Sequence, residues 1–257
     1  MRILLTNDDG FDALGLKALV EAIQPLGEIT IAAPDQQASA SGHSISLNTP
    51  IKVIQADWPG VSHAFRIAST PADCVRLAVL QLIPWKPDLI ISGINQGANY
   101  GTLIFYSGTV AAAAEGALLG IPSMAVSLTS HTSHDFSTAA AFSRNLARHI
   151  GKRGLERGLL FNVNVPPLAQ DQIKGVALTH QGQFRHVDDL APHPGLEGHY
   201  HYVLNSPSVP DQEHPQSDVA RIQAGYISVT PIQMDLTAKQ HLEHFKKWPW
   251  EEKTWMD

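Results

Sequence analysis

Three apolar residues, Ile3, Leu4 and Leu5, run almost directly into Asn7-Asp8-Asp9-Gly10 at the head of the chain. A short unbroken apolar run suits a strand buried on both faces of a parallel sheet; a half-exposed strand would alternate polar and apolar residues. Such a strand ends here in two adjacent carboxylates, and open α/β sheets bind ligands in the crevice at the carboxyl ends of their strands. Neighbouring carboxylates repel each other unless a cation or a proton resolves the conflict. Asn, Asp and Gly are also ordinary turn residues. A solvated turn and a metal or acid site therefore both fit these ten residues.

The residues that follow repeat the α/β pattern. Leu16, Leu19, Val20 and Ile23 recur at helical spacing before Pro25 and Gly27, and Ile29–Ala33 reads as a second strand, giving a right-handed β-α-β unit. Gln36–Ser46 is then a long loop of small polar residues at the same sheet edge as Asp8 and Asp9, where one of its serines can offer a hydroxyl oxygen. Ile51–Ala68, broken by Pro59-Gly60, suggests a two-stranded excursion. Thr70-Pro71-Ala72-Asp73 opens a helix, with Thr70 as N-cap, Pro71 in the first position and Asp73 closing a capping box. Cys74 beside Val75 and Val79 reads as a small core residue.

Pro87–Ser92 is another buried strand, and it leads into Gly93–Gly101, where three glycines and two asparagines allow a ligand to approach the backbone closely. The spacing is not that of a dinucleotide fingerprint. Tyr106-Ser107-Gly108-Thr109 follows and starts an alanine-rich helix, capped by Ser107 and ended near Gly120. Free backbone N–H groups, hydroxyls and a positive helix end then meet at one spot, which suits a phosphate. Asn95, Asn99, Ser107, Gly108 and Thr109 are the candidate phosphate or substrate contacts.

Met124–Leu128 and Leu159–Val165 continue the strands, with a helix over Phe136–Ile150 between them. Residues 167–216 are rich in Pro, His, Gln and Gly, and only Val176–Thr179 and His199–Leu204 read as strands, as in a β-hairpin excursion. Histidines 186, 193, 199, 201 and 214 lack the companions and spacing of a transition-metal site and are expected at the surface. Val219–Gln223 and Ile227–Thr230 are further elements. The end of the chain carries Trp248, Trp250 and Trp255, too apolar for a free tail and expected to pack on the body or on another subunit.

The expected fold is therefore α/β: a Rossmann-like, mostly parallel sheet flanked by helices. Residues 1–166 form the metal- and phosphate-binding core, 167–216 the hairpin excursion, and 217–257 a strand and C-terminal helix completing core and subunit interface. A net charge of −6 over 257 residues argues against a broad nucleic-acid surface. The single cysteine excludes an internal disulfide, and no apolar run is long enough to span a membrane. With a strand starting at residue 2 leaving no room for a leader, a cytoplasmic protein is expected.

The converging loops carry carboxylates, a hydroxyl and an amide, all hard oxygen donors that suit Mg²⁺, Mn²⁺ or Ca²⁺ better than zinc or copper. They contain no lysine or arginine, so an ion and backbone dipoles would stabilise developing charge. His43, in the serine loop, is a candidate general acid.

NDDG at 7–10, PDQQASASGHSIS at 34–46, TPADCV at 70–75, PDLIISGINQGANYG at 87–101, YSGTVAAAAEG at 106–116, NVNVP at 162–166 and GYISVTPIQMDLTA at 225–238 together resemble the SurE family. That resemblance implies a metal-dependent nucleotidase acting on 5′- and 3′-nucleoside monophosphates, in some members also on short polyphosphate. It implies one divalent ion per subunit, held by Asp8, Asp9, Ser39 and Asn95, and a homodimer or homotetramer with a swapped C-terminal part. Two positions depart from the family pattern: Ser69 stands where glycine is usual, and Leu103 where aspartate is usual. Two other readings use the same acidic pair, a Mg²⁺-binding receiver module and an aspartyl-phosphate phosphatase with Asp8 as nucleophile. Both call for a lysine that the later strand ends lack.

Overall fold

The computed structural model describes residues 1–183, 185–186, 189–193, 201–205, 208–209 and 213–250. In chain order the N-terminal part comprises β1 (Arg2–Thr6), α1 (Leu14–Ile23), β2 (Glu28–Pro34), β3 (Val53–Ala56), β4 (His63–Ile67) and α2 (Pro71–Leu77). It continues with β5 (Leu89–Gln96), α3 (Gly108–Leu118), β6 (Ser123–Leu128), α4 (Ser137–Arg153), β7 (Leu159–Val165) and β8 (Val176–Leu178). The short β9 (Arg185–His186), β10 (Asp189–His193), β11 (His201–Asn205) and β12 (Ser208–Val209) come next, then α5 (Asp218–Gln223), β13 (Ile227–Gln233) and α6 (Lys239–Phe245).

Nine of these strands form one sheet in the order β3-β4-β2-β1-β5-β6-β7-β13-β8. The six strands from β4 to β7 are mutually parallel, with β1 in their midst. Leu4 is buried with Cys74 and Val75 against α2, while Ile3 and Leu5 are buried with the residues of α1 and α4. Both faces of β1 are covered, which is why its sequence is a continuous apolar run. Because α1 lies close to the sheet, a Cβ on Gly15 would stand 1.9 Å from the Ile94 carbonyl.

Two regions differ from the sequence expectation. The supposed excursion at 51–68 is half incorporated: β4 pairs parallel with β2, and only β3 is added antiparallel outside it. Val176–Leu178, expected inside the hairpin excursion, is an edge strand of the main sheet, paired parallel with β13. β13 itself runs antiparallel to β7 and lies between β7 and β8. Strand partners so far apart in sequence leave no local signal, which accounts for both differences. The hairpin comes later, with β10 antiparallel to β11 and β9 to β12. His199 and Trp255 lie outside the described residues. Beyond β13 the chain leaves the sheet, and Leu236, Leu242 and Phe245 are exposed along and before α6. Among the described residues no helix is long and apolar enough to cross a membrane.

Candidate active site

The carboxyl ends of β1, β2 and β5 and the first turn of α3 meet at Asp8. Its carboxylate is only 4% exposed and takes a short hydrogen bond on Oδ1 from the Thr109 hydroxyl. Burial pushes the Asp8 carboxyl up to about 6, with the charge of Asp9 adding to the rise and the hydrogen bonds from Thr109 opposing it. Asp9 is also raised by burial, against the Gln96 amide, which donates to Oδ2 at 3.1 Å. Neither carboxylate has a lysine or arginine partner among the described residues. A buried, uncompensated pair of this kind is what a bound cation relieves.

Two loops bring the neutral oxygens. The Ala38 amide donates to the Asp8 carbonyl at 2.8 Å, which sets Ser39 beside β1. Ser39 Oγ accepts from Gln37 Nε2 at 2.9 Å. In β5 the register against β6 slips between Ser92 and Asn95, and this bulge re-aims Asn95 at the strand end. Asn95 Nδ2 donates to the Gly97 carbonyl at 2.8 Å, fixing the amide so that Oδ1 is turned the other way. Two carboxylates, a hydroxyl and an amide oxygen are a fitting donor set for a hard divalent ion. Among the described residues no group of three or more His, Cys, Asp or Glu could hold one instead.

Gly108 and Thr109 stand in the first turn of α3, capped by Ser107. Ser107 is the N-cap, its Oγ accepting from the Val110 amide at 3.1 Å. Thr109 spends its hydroxyl on Asp8, so it steadies a carboxylate and is not a free phosphate donor. The Gly108 amide has no protein acceptor among the described residues. Glycine is required there by packing: a Cβ would lie 2.8 Å from Ser41 Oγ, 2.9 Å from Asp8 Cβ and 3.0 Å from Pro71 Cγ. Asn99 likewise faces inward. Its amide donates to Asn164 Oδ1 at 2.9 Å, its carbonyl accepts from Asn162 and Asn164, and its Nδ2 donates to Ser127 Oγ at 2.9 Å. It anchors the Gly/Asn loop onto β6 and β7.

His43 is held by a residue the sequence reading passed over. His43 Nε2 donates to Glu115 Oε2 at 2.9 Å, and Arg76 donates to Glu115 Oε1 at 2.7 Å. Burial works to raise the Glu115 carboxyl, but the hydrogen bonds from His43 and Arg76 outweigh it and hold it below the usual range. Glu115 therefore accepts as a carboxylate, and the proton sits on Nε2. Glu115 lies about 12 Å along the helix from Ser107 by the 1.5 Å rise per residue, with its side chain leaning back toward the first turn.

The serine loop is pinned at several further points. Ser46 donates its amide to Asp73 Oδ2 at 2.9 Å, and the Ser69 hydroxyl donates to the same oxygen. Thr70 Oγ1 donates to the Ser44 carbonyl at 2.8 Å while capping α2 by accepting from the Asp73 amide. Asp73 is thus a loop anchor and does not close a capping box. Ser69, where the family pattern has glycine, supplies one of the anchoring hydroxyls.

A carboxylate pair on a central strand, a serine loop, a Gly/Asn loop and a capped helix start now stand at one sheet edge, in the order the motifs follow in the sequence. The sequence model described as Survival protein SurE matches residues 3–188. The chain belongs to the SurE family. A SurE protein of Symbiobacterium thermophilum named 5′-nucleotidase SurE is 45% identical over 96% of this chain and 97% of its own length. Another of that name from Desulforudis audaxviator is 44% identical over 97% of this chain and 98% of its own. The crystal structure of the SurE protein from Aquifex aeolicus superposes with a TM-score of 0.82 at 34% identity, covering 96% of this chain and 98% of the other. The SurE match takes in β1 to β8 and stops before β13.

Proposed function

We propose that this chain is a 5′-nucleotidase: a divalent-metal-dependent phosphomonoesterase that converts nucleoside monophosphates to nucleoside and phosphate. The observation that carries the reading is the Asp8–Asp9 pair, Asp8 buried and Asp9 half-buried, with no basic partner and set against the first turn of α3. The name shared by the relatives gives the substrate class. Asp8, Asp9, Ser39 and Asn95 would hold one Mg²⁺, Mn²⁺ or Ca²⁺ per subunit. The ion, once bound, would act as a Lewis acid on a phosphoryl oxygen and lower the pKa of a water to make the nucleophile.

The chain's own residues do the rest. Thr109 fixes the Asp8 carboxylate, and the Gly108 amide with the positive end of α3 offers the phosphate a donor and a favourable field. The Glu115 carboxylate, itself paired with Arg76, accepts from Nε2 and holds the His43 ring in place. With Nε2 so engaged, Nδ1 is the ring nitrogen that would take up a second proton and pass it to the departing alkoxide. The enzyme works in the cytoplasm as a homodimer or homotetramer, with the arm after β13 laid on a second copy: Leu236, 80% exposed, and Leu242 and Phe245 have no cover in one subunit. No membrane or nucleic-acid polymer is a partner. Short polyphosphate is a secondary substrate of the same phosphate site.

Chelation is the direct test. Excess EDTA should abolish hydrolysis of AMP, and Mn²⁺ or Mg²⁺ should restore it; Asp9→Asn should lose activity with its fold intact, since one anionic ligand goes without a change in volume. Full activity in EDTA would remove the metal-dependent reading. A phosphorylated Asp8 trapped during turnover would favour the aspartyl-phosphate alternative.

A further inference from the structure

Helix α4 carries Arg144, Arg148, His149, Lys152 and Arg153 and no aspartate or glutamate, in a chain whose net charge is −6. Arg144, Arg148 and Lys152 follow one another at intervals of four and so share one stripe of the helix, where like charges weaken it. Among the described residues none of the three has a carboxylate within ion-pair distance. The helix bears a local cost that its own packing does not offset.

The stripe begins in a groove of about 630 Å³ between α1 and α4. That volume lies within the range of about 300–1,000 Å³ usual for small-molecule pockets. Ala18 and Ala22 of α1 and Ala140 and Ala141 of α4 line it, with Leu14, 55% exposed, at the start of α1. Such small side chains leave a slim apolar trough between the two helices. Arg144 stands half-buried in its wall, makes no hydrogen bond among the described residues, and has its Nε shut off from water. A guanidinium so placed still needs an acceptor, because its N–H groups have given up water without gaining a partner. Lys17 and His134 line the same groove, and Glu21, its one acidic residue, is exposed.

We infer that this groove binds a small organic anion, with a single carboxylate or phosphate head on a slim apolar body. The planar fork of Arg144 takes either head in two parallel hydrogen bonds, and Lys17 adds charge beside it. The alanine trough takes the body, and the uncompensated stripe beyond Arg144 draws anions toward the opening. The groove is separate from the metal and phosphate centre. It lies between α1 and α4, which cover the face of the sheet opposite α2 and α3. It holds neither a carboxylate pair nor a phosphate-binding turn, so its occupant is a ligand and not a second substrate.

Isothermal titration with decanoate, decylphosphonate and decanol tests this on the full chain. At least one of the two anions should bind, one per subunit, and decanol, which lacks the charged head, roughly tenfold or more weakly. The anion that binds more tightly identifies the head group. Arg144→Gln should weaken that anion by roughly tenfold or more, and Ala141→Phe, which fills the trough, should do the same. Arg144→Lys, which keeps the charge but loses the fork, replaces Arg144→Gln if circular dichroism shows that the latter does not fold. Asp9→Asn should bind the anion as tightly as the parent. Binding of neither anion, or an unchanged affinity in Ala141→Phe or in the Arg144 variant, would overturn the inference. So would a parallel loss in Asp9→Asn, which would place the anion at the metal centre. A lower mass by light scattering in Ala141→Phe with no anion bound by the parent would make the groove a contact between subunits instead.

Discussion

Glu115 is 3% exposed, two turns into a helix of alanines, and it fixes which nitrogen of His43 carries a proton. His43→Ala should cost roughly 10²–10⁴ in rate on nucleotides, the range of a lost general acid, and much less on p-nitrophenyl phosphate, whose leaving group needs no proton. Glu115→Gln should show the same leaving-group dependence at smaller amplitude, because the ring remains while the carboxylate that orients it goes. Steady-state kinetics on both substrates decide it; equal losses on the two would make the trio a structural tie between the serine loop and α3. At this scale the sequence was legible where residue type and position coincide, as with Asp8, Asp9, Asn95 and the capping hydroxyls of Thr70 and Ser107. Cys74 likewise is core, with burial holding its thiol far above its ordinary value. Glu115 was not legible, since its partners Arg76 and His43 lie 39 and 72 residues away. At Gly108 the sequence did not reveal a second demand, that its bare backbone makes room for Ser41 and Asp8.

Among the elements, the serine loop is the one whose order the site depends on, and Asp73 is its main anchor to α2. Burial works to raise this carboxyl, but hydrogen bonds from Ser69, Ser46 and Thr70 outweigh it and the net shift is downward. A carboxyl depressed in the folded state adds stability above its unfolded value, near 3.9, and loses it as the pH falls through the folded value. Asp73→Asn should therefore cost about 1–3 kcal/mol at pH 7, a gap that closes below about pH 4. Denaturant titrations of both proteins at pH 7 and pH 3.5 measure it, and a gap independent of pH would mean that shape, not charge, holds the loop. The helix start at Thr70 could be read locally; that Asp73 turns toward Ser46 could not, because the two meet only when α2 docks on the sheet. Asp218 is a comparable case. Completely buried, it accepts from the Gly101 and Gly182 amides at 3.0 and 2.9 Å and so ties the Gly/Asn loop to α5.

At the scale of the molecule, the arm beyond β13 leaves Leu236, Leu242 and Phe245 exposed, and the proposed second copy would cover them. Deleting residues 241–257 should lower the mass found by light scattering, and an unchanged mass would place the arm on its own body. The parallel strands β1, β2, β5, β6 and β7 were readable because each is apolar and each crossover ends in a recognisable cap or glycine. The far end of the sheet was not, because β13 is added there from a distance. Until Ile227 and its followers have left the ribosome, β7 carries a bare row of amides and carbonyls on the side β13 will cover. The body of the fold can collapse early, yet its edge stays adhesive through the synthesis of everything between Val165 and Ile227. Early termination in that interval leaves a nearly complete domain with an open strand, ready to pair with its like.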